Sequence, residues 1–96
     1  MKGGRNMEYS YPINLDWSKE EMATVINFYQ AVEKAYEVGI DASEIKAKYS
    51  DFKQVVRSIG EEKSLGKEFE KVSGYSPYRV MQLVKNATTS KIKMQP

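Results

Sequence analysis

The chain has 96 residues, carries a net charge of +2 and contains neither cysteine nor histidine. That length encloses one core and cannot divide it between two. Without thiols or imidazoles there is no disulfide, no thiolate or histidine metal site, no cysteine nucleophile and no Ser-His-Asp triad. The composition therefore reads as a single cytoplasmic, non-enzymatic domain with no cofactor. No apolar run approaches the roughly 20 residues that cross a bilayer, which sets membranes aside as partners.

The first stretch, "MKGGRNM", lacks the apolar segment of a secretion signal and offers Met7 as a second start; residues 1–7 are expected to be disordered. In "EYSYPINLDW", Tyr9, Tyr11, Ile13 and Leu15 alternate with polar residues, and Pro12 forbids a helix. This predicts an extended aromatic arm laid over the core. A single alternating segment has no evident partner strand, so no sheet is expected.

Ser18 and Glu21 stand in capping-box spacing, flanked by Trp17 and Met22 at the two positions of a hydrophobic staple. Met22, Val25, Ile26, Tyr29, Val32 and Tyr36 then recur at steps of three and four, the stripe of a helix closed by Gly39. The device repeats at once: Asp41 is answered by Glu44, and Ile45, Tyr49, Phe52, Val56 and Ile59 form the next stripe. Ser50-Asp51 is cap-like, which leaves one helix or two across residues 42–59.

Ser58 and Glu61 start a further helix with Leu65, Phe69 and Val72 inward, and Gly74 ends it. Ser76-Pro77 reads as an N-cap and first-turn proline, opening a last helix whose Tyr78, Val80, Met81, Leu83, Val84 and Ala87 are expected to face the core. Beyond Thr88 the chain is polar and basic with no evident anchor. The predicted fold is all-α: a compact array or bundle of four to five short helices across residues 8–87, with the aromatic arm closing over it and 88–96 as a tail.

Charge is unevenly spread, with six acids and two lysines in residues 8–39 against four bases and no acid in 75–96. Such a split either steers an acidic partner to the carboxy-terminal end or marks solvated faces and a trailing tail. Tyr75, Tyr78, Arg79 and Trp17 are residue types enriched at the centres of protein contacts, so they form the candidate interaction surface. The expected partner is another protein or a second copy of this chain. Paired acids such as Glu20-Glu21 and Glu61-Glu62 fall in helix first turns, where they complement the dipole, and give no case for catalysis.

"LGKEFEKVSGYSPYRV" looks locally like the carboxy-terminal signature of AraC-type transcription regulators, which makes nucleic-acid binding the alternative function. The helix that would read DNA carries Glu61, Glu62, Glu68 and Glu70 against Lys63, Lys67 and Lys71, and no arginine. Acids of that number oppose the counterion release that drives phosphate binding.

Taken together, "MEYSYPINLDWS", "AVEKAYEVGID" and "GKEFEKVSGYSPYRV" resemble the YktA-like family of small cytosolic proteins from Bacilli. The resemblance covers residues 7–87 and implies a helical fold and a bacterial cytoplasmic setting. It brings no activity, substrate or binding residue with it.

Overall fold

The Ser18 hydroxyl accepts from the Glu21 backbone N–H at 3.1 Å while the Glu21 carboxylate accepts from the Ser18 N–H at 2.8 Å. This reciprocal pair launches α1, Lys19–Glu37, in a computed structural model that describes residues 9–95. The expectation for residues 1–7 falls outside that range. Three more helices follow: α2 at Ala42–Val55, α3 at Ile59–Ser73 and α4 at Pro77–Asn86. The fold is broadly all-α and compact, with a radius of gyration of 12.9 Å.

Each boundary has a local cause. Ser58 and Ser76 cap α3 and α4 by accepting from the N–H groups of Glu61 and Arg79, at 2.9 Å and 3.1 Å. Pro77 occupies the first turn of α4, where its missing N–H costs nothing. Gly74 stops α3 with φ of 82°, a backbone state that side-chain-bearing residues rarely adopt. At α2 the expected box does not form: Asp41 is the N-cap residue but its side chain makes no capping bond. Asp41 lies instead in a strand and pairs with Lys91 at 3.6 Å. α2 continues without a break through Ser50 and Asp51 but ends at Val55, and Ile59, expected on its stripe, instead opens α3 and is exposed.

The core gathers Val25, Phe28, Tyr29, Val32 and Ala35 of α1 with Ile45 and Phe52 of α2, Leu65 and Phe69 of α3, and Val80 and Val84 of α4. Tyr29 and Phe69 stack with centroids 4.7 Å apart and planes 11° apart. Glu62 ties α3 to α2, accepting from the Tyr49 hydroxyl at 2.7 Å and from Lys53 at 2.6 Å.

The arm is extended and lies on this core. Tyr11 packs against the stacked Tyr29–Phe69 pair and meets both rings, and Tyr29 donates its hydroxyl to the Pro12 carbonyl at 2.9 Å. Tyr9 and Tyr11 both donate to the Glu33 carboxylate. Ile13 and Leu15, expected on the inner side, are exposed, Leu15 by 84%. The alternation fails there because Asn14 starts a turn into α1, its carbonyl accepting from the Trp17 N–H at 3.0 Å.

Two expectations about extended structure are corrected at the carboxy end. Residues 40–41 (β1) and 91–92 (β2) form a two-stranded antiparallel ladder, with Ile40 opposite Ile92 and Asp41 opposite Lys91. The segment after Thr88 is thus anchored, since Ile92 is 1% and Met94 7% exposed. The segment also completes α1, whose last carbonyls lack helical partners. Met94 donates its N–H to Ala35 at 2.8 Å and Lys93 its ammonium to Tyr36 at 3.2 Å.

Candidate functional site

α4 is ten residues long and touches the rest of the domain along one stripe, Pro77, Val80 and Val84. At 100° per residue, Tyr78, Arg79, Gln82, Leu83, Lys85 and Asn86 occupy the remaining arc and all are exposed. Tyr78 is 69% and Leu83 41% exposed, which corrects the inward placement expected for both. The physical reason is that α4 is covered by α1 and α3 on one side only, so a second apolar row on so short a helix has nothing to bury against.

The outward face is ordered by its own contacts. Gln82 donates to the Tyr78 hydroxyl at 2.6 Å, and Asn86 donates to the Gln82 carbonyl at 3.0 Å. Arg79 and Leu83 lie one turn apart beside that row, an arginine next to an aliphatic side chain. Among the described residues Arg79 makes no ion pair.

Tyr75 fixes the base of the face. Its ring stacks on Tyr36 of α1 with centroids 4.5 Å apart, and its hydroxyl donates to Glu37 at 2.9 Å. The Tyr36 hydroxyl accepts from the Ser76 N–H at 3.1 Å, joining the start of α4 to the end of α1. Tyr75 is half-buried and positions α4, while Tyr78 and Arg79 are presented outward.

Trp17 does not join this group. It precedes α1, whereas Tyr36 and Tyr75 meet at the other end of that helix. A helix of this length separates them by about 28 Å. Trp17 packs half-buried against the core at the arm's turn.

The family profile of the uncharacterised protein family UPF0223 spans residues 8–93. The chain belongs to this family. UPF0223 proteins of Listeria welshimeri, Listeria monocytogenes and Listeria innocua are each 68% identical to it over 90 residues, covering 94% of this chain and 100% of the relative. This agrees with the resemblance read from the sequence. The profile reaches past the end of α4 to residue 93, so it takes in the β2 segment that the sequence reading left as a tail.

Elsewhere in this UPF0223 chain the hydroxyls of Tyr9, Tyr11, Tyr29 and Tyr49 are committed to structure. Burial, and then the neighbouring Glu33 carboxylate, push the Tyr11 hydroxyl up to about 12; burial and Glu62 do the same for Tyr49, also to about 12. Tyr9 and Tyr29 are likewise raised, chiefly by burial. Neutral phenols donating to carboxylates are structural ties. No group of three or more metal-ligating side chains occurs among the described residues, and no helix there is long and apolar enough to cross a membrane.

The sequence reading missed Leu83 and Gln82 as members of the α4 face. A wheel drawn on Pro77, Val80 and Val84 alone would have found them, because that stripe already fills the inward arc.

Proposed function

We propose that this protein is a non-enzymatic bacterial cytoplasmic protein that works by docking the outward face of α4 on an acidic protein surface. The observation that carries the reading is the joint exposure of Tyr78, Arg79 and Leu83 on one face. Tyrosine and arginine are the types that dominate contact energies, and an aliphatic residue one turn from the arginine adds apolar surface beside it. Charge complementarity selects the partner: residues 75–96 hold four bases and no acid, and Arg79 and Lys85 stand on the face itself. The helical scaffold's part is to hold α4 rigidly through Tyr36, Tyr75 and the Ser76 cap.

The test is affinity capture from bacterial extract with wild type and Arg79→Glu, matched for helical content and thermal midpoint. Loss of acidic proteins from the variant's eluate is the expected result. An unchanged set of bound proteins would contradict the reading. Retention on duplex DNA or RNA that weakens steeply with added salt would instead favour the nucleic-acid alternative.

A further inference from the structure

The carboxy-terminal segment, residues 88–95, is held by a berth built from the other half of the chain. Ala42 donates its N–H to Ser90 at 2.7 Å, the ladder pairs Ile40 with Ile92, and Met94 donates to Ala35 at 2.8 Å. Ile92 and Met94 fill the space beside α1 and β1. Gly39 shapes that space: at φ of 96° it brings its backbone so close to Ile92 that an added Cβ would meet the Ile92 carbonyl oxygen at 3.3 Å.

The segment's connection to α4 is slight by comparison. Ala87 leaves the helix in an extended conformation, φ −75° and ψ 143°, and Thr88, Thr89 and Ser90 are exposed. A terminal segment with two apolar anchors, hung on three exposed residues, is an element that two identical chains can trade. Every bond that it makes to α1 and β1, including Lys91 to Asp41 at 3.6 Å, is available unchanged to the same segment of another copy.

We propose that the berth on α1 and β1 is an interaction site for the 88–95 segment of a second copy of this chain, giving a reciprocal, two-fold exchanged dimer. Its own segment holds the berth at low concentration, because a short tether supplies it at about millimolar effective concentration. The exchanged form gains ground when protein concentration approaches that value or when the tether no longer reaches.

Because the chain has no cysteine, engineered thiols report the exchange without background. Asp41 and Lys91 are opposed in the ladder, and antiparallel partners lie about 4.5–5.5 Å apart at Cα, within disulfide range. Single variants Asp41→Cys and Lys91→Cys are unfolded together, refolded at about 1 mM in a glutathione redox buffer and resolved without reduction. The expected result is about ten mixed disulfides for each like one, where the statistical share is one to one. Placing Ile92→Asp in the Lys91→Cys chain returns it to that share. Mixed and like disulfides in statistical proportion at the outset would overturn the proposal. A second variant lacking Thr88 and Thr89 is measured by light scattering, with helical content checked by circular dichroism. A helical dimer is expected, and a helical monomer would overturn the proposal.

Discussion

Tyr36 and Tyr75 stack at 4.5 Å with their planes 14° apart, at the joint between the end of α1 and the start of α4. Tyr36 makes the joint through three groups: its ring meets Tyr75, its hydroxyl accepts from Ser76, and its carbonyl accepts from Lys93. Tyr36→Phe keeps the ring and removes the acceptor for the Ser76 N–H. We expect a loss of about 1–2 kcal/mol, read as a lower urea midpoint at unchanged slope. An unaltered midpoint would show that water replaces the hydroxyl at no cost.

Two glycines give opposite expectations from the same substitution. Gly66 lies inside α3 with open space around its Cα, so Gly66→Ala should stabilise by about 0.4–1 kcal/mol through reduced freedom of the unfolded chain. Gly74 has equal space but φ of 82°, and Gly74→Ala should destabilise by about 1 kcal/mol. Thermal midpoints of the two variants moving in the same direction would contradict this account of the α3 terminus.

Alkaline pH tests the arm and its carboxylate ties. A phenol of pKa about 10 in the unfolded chain that rises to about 12 when folded stabilises the native state fully below pH 10. That contribution is lost as pH climbs through 12. Tyrosinate absorbance of the folded protein should therefore show Tyr11 and Tyr49 ionising late, with stability falling between these values. Glu33→Gln removes the second cause of the rise at Tyr11, after burial, and should bring part of the titration to lower pH.

How legible these elements are in the sequence varies with how local their causes are. Ser18 with Glu21, Ser58, Ser76-Pro77 and Gly74 act within one turn, and each is found where its spacing places it. Asp41 has the same spacing but no capping bond, because a remote strand with Lys91 competes for that residue. "KIKM" at residues 91–94 alternates polar and apolar, a strand signal, yet its partner lies some fifty residues earlier and is two residues long. Tyr78 and Leu83 carry large apolar surfaces, as Val80 and Val84 do; the absence of a cover over α4 on that side leaves them outside. The exposed face of α4 was half legible for the same reason: Arg79 stands outside, whereas Tyr78 and Leu83, both read as inward, are exposed.

The carboxy-terminal anchors should matter more than their position suggests. Ile92→Ala is expected to cost about 2–4 kcal/mol, since it empties a fully buried site against Ile40. Leu83→Ala, on the open side of α4, should stay within about 0.5 kcal/mol. Chemical denaturation of the pair decides this, and equal losses would mean that α4 is covered on both sides.

The docking face is tested most directly by a photo-crosslinking residue placed at position 83 on α4, and in a separate chain at Lys46, which is exposed on α2. Irradiation in living bacteria should give discrete adducts with acidic proteins from position 83, diminished by Arg79→Glu, and none from position 46. Adducts of equal yield from both positions, or none from position 83, would contradict the assignment of α4 as the surface through which this protein acts.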